Sequence, residues 1–366
     1  MDLYKIAASN LKGIGKQKLK QLCLRTNGIN ALFEEKLCSL EKKFNLKKEL
    51  LINMNISQAL TKAGKQLDFN EKYGVQTLFM EDDHYPDLLK ECPDAPITLF
   101  YKGSVALNKK IISIVGTRRA TNYGKENVEK LIASLQGQDI IVISGLASGV
   151  DTFVHDCCVK HQIPTVGVLG HGLDTIYPRS NRNLAKKMLN NGGLLTEYGI
   201  GHKISKYCFP QRNRIIAGMS EVTIVIESPL KGGAIITAEI ANGYNREVMA
   251  IPGSIFSDSS KGCNALIKTQ KANLLENTDD LYRLMGWNNN SSEVRANINL
   301  TKQESVIVQL LKEENEIHFD TLLSKSDFSV SSLHSIVLKL ELKEIVQALP
   351  GSLFKLNHQT FSLDMA

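Results

Sequence analysis

The sequence predicts an α/β protein built on a Rossmann-like, doubly wound and mostly parallel sheet, and three observations predict it. Short runs of Ile, Val and Leu alternate with helix-length segments from residue 111 to residue 286. Those runs are apolar at consecutive positions, as strands buried on both faces are. Glycine follows nearly every run, so backbone lines the carboxyl edge, where ligands of such sheets gather. A small all-helical domain precedes this region and a winged-helix-like domain follows it. The expected boundaries are 1–68 (helical, helix-hairpin-helix or SAM-like), 69–104 (connector), 105–286 (Rossmann-like), 287–299 (linker) and 300–366 (winged-helix-like).

In the first 68 residues Leu and Ile recur at three- and four-residue spacing among many lysines, a helical pattern. Leu11-Lys12-Gly13-Ile14-Gly15, followed by Lys16 and Lys18, resembles a helix-hairpin-helix turn, whose glycines let a phosphate approach the backbone. A plain glycine-containing turn between two core helices accounts for it equally well. Asp82 to Gly103 contains three prolines, which predicts an extended connector.

The main domain opens with Ile111–Val115, a strand that ends in Gly116-Thr117-Arg118-Arg119 and leads into a helix near Tyr123. A strand, a glycine and a helix start make an anion site, because the free N–H groups and the positive end of the helix dipole favour a phosphate. Further strands are expected at Ile140–Ile143, Thr165–Leu169, Leu194–Thr196, Val222–Ile226 and Val248–Ala250, and near Asn273–Leu275. Helices are expected at Tyr123–Leu135, Val150–Lys160, Asn181–Leu189 and Ala234–Tyr244. The tail reads as helices Lys302–Glu313, Phe319–Lys325 and Val330–Leu340, then two strands around Pro350-Gly351. Its third helix carries only Lys339 and Lys343 and no arginine, which favours protein contacts over reading of a duplex.

Composition narrows the ligand. The chain has 366 residues, 43% of them hydrophobic, and a net charge of +6, a modest excess that suits a polyanion without requiring one. Seven cysteines contain no C-x-x-C pair, so neither a zinc site nor a disulfide framework is indicated, and a reduced, cytoplasmic protein is expected. No signal-peptide pattern and no run long enough to cross a bilayer is found, so no membrane partner is expected. The first turn is G-T-R-R-A-T where a dinucleotide site has G-x-G-x-x-G, and Ser144 ends the second strand where an acidic ribose contact belongs. A P-loop is absent, and Gly145-Leu146-Ala147-Ser148-Gly149 places its serine one position late for a nucleophile elbow. No cofactor, metal or catalytic residue is therefore expected. His155, four residues after Asp151, reads first as a packing histidine.

Between Lys206 and Arg214 two aromatics, Tyr207 and Phe209, are interleaved with Lys206, Arg212 and Arg214. Aromatic faces that stack bases beside cations that hold phosphates suit a single-stranded nucleic acid. The ordinary alternative keeps Phe209 in the core and pairs Arg212 with Glu227 or Glu239.

These stretches together resemble a known family. GTRRATNYG (116–124), SGLASGVDTFVH (144–155), VGVLGHGLDTIYPRSNRNL (166–184), GGLLTEYG (192–199), FPQRNRIIAGMS (209–220), KGGAIITAEIA (231–241), REVMAIPG (246–253) and GCNALI (262–267) are similar, in order, to the motifs of the DNA-processing protein A family, DprA/Smf. Gln270 and Lys271 depart from it, standing where members often carry Gly-Ala. The resemblance implies a non-catalytic, usually homodimeric protein that binds and protects incoming single-stranded DNA in natural transformation and loads the RecA recombinase onto it. It implies a pocket formed by Arg118, Arg179, Lys206, Phe209, Arg212 and Asn213, lined by Gly116, Thr117 and Gly145. The rival readings are a nucleotide phosphoribohydrolase and a nucleotide-sensing module. The first rests on Lys231 to Glu239, which resembles P-G-G-x-G-T-x-x-E with Lys231 replacing Pro and Ile235 and Ile236 replacing Gly and Thr.

Overall fold

A computed structural model of the chain describes residues 2–15, 18–21, 29–34, 49, 53–287, 300–314, 316–343 and 345–356. Lys16 and residues 288–299 of the expected linker lie outside the described residues. The chain divides into two units, Met1–Ser291 and Ser292–Ala366.

In the first unit nine strands form one sheet: β1 (Gln76–Phe79), β2 (Thr98–Gly103), β3 (Lys110–Val115), β4 (Ile140–Ser144), β5 (Thr165–Leu169), β6 (Gly192–Thr196), β7 (Val222–Val225), β8 (Glu247–Ala250) and β9 (Asn273–Leu274). Their order is β1-β2-β6-β5-β4-β3-β7-β8-β9. The run from β6 to β9 is parallel, while β1 pairs β2 and β2 pairs β6 antiparallel. The chain moves outward from β3 through β4, β5 and β6, then returns to place β7 on the other side of β3. That reversal opens a crevice at the carboxyl ends of the strands beside β3.

Burial on both faces explains the unbroken apolar runs. Along β3, Ile111 and Val115 pack into one cluster with Ile215 and Ile216 of α8 (Cys208–Met219) and Ala238 of α9 (Gly233–Gly243). Ile112 and Ile114 enter the opposite cluster, with Val128 and Ile132 of α5 (Asn122–Ser134) and Val154 of α6 (Val150–Lys160). Each fully buried Ile or Val contributes about 1.5–3 kcal/mol. Ser113, the one polar residue in the strand's centre, donates to Thr223 Oγ1 of β7 at 2.8 Å and is thereby satisfied.

Two differences from the sequence reading lie at the amino-terminal side. Residues 76–79 and 98–103, expected as an extended connector, are the antiparallel edge of the main sheet. All three prolines of that stretch fall between the two strands, around α4 (Asp87–Glu91), so they interrupt no ladder. The helical segment is no separate unit: α1 (Asp2–Ser9), α2 (Asn30–Glu34) and α3 (Ile56–Tyr73) belong to the same unit as the sheet, with Ile6, Ala59 and Ala63 packed beside Phe100 of β2. Gly13 has φ +73° and its turn lies against Asn53 and Met54.

The second unit contains α12 (Lys302–Glu313), α13 (Phe319–Lys325), α14 (Val330–Leu342) and the antiparallel strands β10 (Ile317–His318), β11 (Val346–Leu349) and β12 (Leu353–Leu356) around one core. A capping box starts α12: Thr301 accepts from Glu304 N and Glu304 accepts from Thr301 N. Glu304 also accepts from Lys343 at 2.7 Å, which consumes one of the two lysines of α14 and its C-cap. Helix α14 exposes Val330, Leu338 and Leu342.

Candidate nucleic-acid interface

The crevice beside β3 is a cleft of about 410 Å3, and a smaller pocket of about 60 Å3 adjoins it. Its framework is backbone held by backbone. Thr117 donates its N–H to Glu227 O at 2.7 Å, and Val150 donates to Thr117 O at 3.1 Å, so the turn after β3 is clamped between β7 and the start of α6. Gly149 makes the clamp fit: its φ is +86°, and a Cβ there would stand 2.4 Å from Arg118 C and Thr117 O. The buried carboxylate of Glu227, two residues beyond the end of β7, accepts from Thr121 N at 2.9 Å, Thr121 Oγ1 at 2.6 Å and Ser259 Oγ at 3.1 Å. Thr121 in turn caps α5 by accepting from Gly124 N.

Onto this framework the structure brings most of the expected residues. Gly116, Thr117, Arg118, Lys206, Phe209 and Asn213 all line the larger cleft. Arg118, Gly145 and Phe209 line the smaller pocket as well, so Phe209 is the wall between the two. The Arg118 guanidinium carbon lies 5.8 Å from the Phe209 ring centroid, and Tyr177 approaches the same ring at 5.8 Å. Arg118, Arg119 and Lys206 are exposed at the rim, and the only acidic side chain in the lining is the buried Asp151. Arg119, which the sequence reading turned away from the site, lines the same cleft. Gly232, Gly233 and Ala234, at the amino end of α9, complete one wall and offer the positive end of a helix dipole.

Two expected contacts differ: Arg212 is in the lining of the larger cleft but buried, and Arg179 is outside that lining. Arg212 is only 4% exposed, and its Nη1 donates to Gly145 O and Val168 O. The cause is helical periodicity: in α8, positions 212, 215, 216 and 219 share the face that packs on the sheet. Gly145 is where this approach is closest, since a Cβ there would meet the guanidinium at 2.5 Å. Neither Glu227 nor Glu239 is the partner of Arg212; the carboxylate whose charge acts on it is Asp151. Arg179 is exposed on a 3-10 turn (Arg179–Asn181) that follows Tyr177 and Pro178, and it flanks the smaller pocket without lining the cleft.

Beneath the cleft lie two buried titratable side chains, His155 and Asp151. His155 is fully buried with Nδ1 2.7 Å from Thr165 Oγ1, and burial with the nearby Arg212 charge pushes its pKa down to about 3. Burial raises the Asp151 carboxyl, opposed by the Arg212 charge and by a hydrogen bond from Ala147 N. Glu239, which the phosphoribohydrolase reading needs in the cleft, is outside its lining and pairs with Lys271 at 3.1 Å. Among the described residues no cluster of three or more His, Cys, Asp or Glu side chains could hold a metal.

Sequence reasoning missed Asn181 and Tyr177, and it offered Glu227 only as a possible partner of Arg212. A lone acid directly after the expected strand Val222–Ile226 was the available signal for Glu227. Asn181 is 5% exposed and donates to Leu146 O at 2.9 Å and Thr152 Oγ1 at 2.7 Å, holding the loop after β4 where Leu146 has φ +54°. Nothing in its local sequence announces that role.

Fold and site together define a Rossmann-like α/β protein whose cleft presents backbone, cations and an aromatic wall at the switch point of the sheet. Residues 76–286 match the family described as DNA recombination-mediator protein A, and residues 291–352 match the DprA winged helix domain. The chain belongs to the DNA recombination-mediator protein A family, DprA/Smf. It is 43% identical over 188 residues to DNA processing protein DprA of Streptococcus pneumoniae, a match covering 51% of this chain and 66% of that protein. It is 38% identical over 237 residues to DNA processing protein DprA of Bacillus subtilis, covering 64% of this chain and 80% of that one. The crystal structure of the S. pneumoniae protein superimposes with a TM-score of 0.65 at 33% identity, covering 78% of this chain and 96% of that chain. DNA processing protein A of Helicobacter pylori, whose structure concerns its single-stranded DNA binding mode, matches with a TM-score of 0.53 at 26% identity, covering 59% and 98%.

Proposed function

We propose that this protein binds single-stranded DNA in the cleft beside β3, protects incoming DNA, and loads the RecA recombinase onto it in natural transformation, acting as a cytoplasmic homodimer. The observation that carries the DNA reading is Arg118 lying over the Phe209 ring at a rim of three exposed cations, with no acidic side chain among the exposed lining residues. A base stacks on the ring while the cations meet the flanking phosphates. The H. pylori relative's single-stranded DNA binding supports the same reading. Within it, Lys206 and Arg118 contact phosphate, Phe209 stacks, Arg179 extends the basic rim, Asn213 and Gly116 line the groove, and Arg212 holds Gly145 in place. The exposed apolar residues of α14 support a protein-contacting role for the winged helix.

A gel-shift series with single-stranded, double-stranded and RNA oligonucleotides at two salt concentrations tests this. Single strands should bind tightest, with affinity falling as salt rises. Equal binding of all three, or saturable binding of a mononucleotide alone, would exclude the proposal, and release of free base from a nucleoside monophosphate would restore the enzyme reading. Phe209→Ala should weaken single-strand binding by about 1–3 kcal/mol, the contribution of one stacked base, with little change in salt dependence. A changed salt slope at undiminished affinity would remove Phe209 from that role.

A further inference from the structure

We infer that a second station for the DNA strand lies at Tyr73, Lys72, Lys102 and Arg182, on the far side of the loop that walls the cleft; the inference rests on the single-strand reading above. The loop from Gly170 to Arg182 has two working sides. On one, Gly170, His171, Tyr177 and Pro178 line the smaller pocket beside Phe209. On the other, Leu173, Asp174 and Arg182 line a separate cleft of about 260 Å3, closed by Tyr73, Phe69 and Lys102. Leu173 packs against the core formed by α1, α3 and β2, which fixes the loop to that side of the molecule.

What this second cleft contains is the chemistry of the first. Tyr73 ends α3, is 46% exposed as a residue, and has its ring braced by Phe69, whose centroid is 4.5 Å away. The Lys72 and Lys102 ammonium groups lie 5.5 and 5.8 Å from the Tyr73 centroid. Among the described residues neither lysine nor Arg182 is in an ion pair. The one acid in the lining, Asp174, accepts from Gly201 N at 3.0 Å. Three unpaired cations around a braced aromatic ring suit a polyanion with a flat base. Arg179 and Arg182, both exposed and three residues apart, supply positive charge between the two clefts. A strand that leaves Phe209 past Tyr177 thus meets cations until it reaches Tyr73.

The full chain should therefore distinguish oligonucleotides by length. Measured by fluorescence anisotropy with oligo-dT of about 6 and about 20 nucleotides, a range that brackets common single-strand site sizes, Tyr73→Ala should lose roughly tenfold affinity for the long strand and leave the short one unchanged. Tyr73→Phe should bind both as the parent does. Lys102→Gln combined with Arg182→Gln should lower the salt slope by about 1.4 for the long strand only, two phosphates' worth. If Tyr73→Ala and the double variant bind the long strand like the parent, or if they lose both lengths alike, the second station does not exist. A parent that binds neither oligonucleotide overturns the reading of the main cleft, and this inference with it.

Discussion

Arg118→Ala should weaken single-strand binding by about 2 kcal/mol, roughly 30-fold, whatever the base sequence, and lower the salt slope by about 0.7, the value of one phosphate contact on a single strand. The size follows from where the guanidinium sits. It is exposed, stands over the Phe209 ring, and lines both pockets, so its removal takes away a phosphate contact and one side of the stacking wall together. Stability should barely change, because the side chain lies on the surface and the turn is held by the main chain of Thr117, Val150 and Glu227. Thermal melting and a salt titration of oligonucleotide affinity check both halves. A folded variant that binds with the parent's affinity and slope would show that the DNA passes elsewhere.

The parallel part of the sheet was legible because each strand is buried on both faces and therefore continuously apolar, and the glycines after the strands marked the edge where a ligand gathers. The antiparallel strands β1 and β2 were not. The three prolines between them drew the reading toward extended chain, although a proline outside a ladder costs that ladder nothing. At the site, residues whose position follows from the end of a strand were readable: Gly116, Thr117, Arg118 and Gly145. Of the expected residues on α8, Phe209 and Asn213 line the cleft, but the inward turn of Arg212 was not readable. The alternation of Lys206, Tyr207, Phe209 and Arg212 looks like one surface until α8 is recognised as a helix, whereupon a 3.6-residue period turns Arg212 inward with Ile215 and Ile216. Glu227 and Asn181 hold partners 106 and 35 residues distant, a relation no local pattern contains.

Replacing that inward arginine should have the largest effect on the fold. Arg212→Met keeps the length of the side chain and removes its charge and both Nη1 donors, leaving Gly145 O and Val168 O without them and Asp151 buried without a counter-charge. Breaking a buried charge arrangement from one side costs about 3–5 kcal/mol, which for a unit of this size lowers the melting temperature by on the order of 10 °C. The loss should depend on pH in a definite direction. Burial already raises the Asp151 carboxyl above its unfolded value, and the Arg212 charge is the main force opposing that rise, so the variant raises it further. A carboxyl whose folded pKa is raised gives its stability below the unfolded pKa, near 3.9, and loses it as pH climbs through the folded value. The deficit of Arg212→Met should therefore be smaller at about pH 5 than at about pH 8. Adding Asp151→Asn should recover part of the stability at neutral pH and flatten the dependence, because the uncompensated charge is gone. Urea unfolding of the two single variants and the double variant at both pH values measures the coupling directly. A deficit that is equal at both pH values and additive with Asp151→Asn would mean that Arg212 acts only through the two carbonyls, with its charge irrelevant to Asp151.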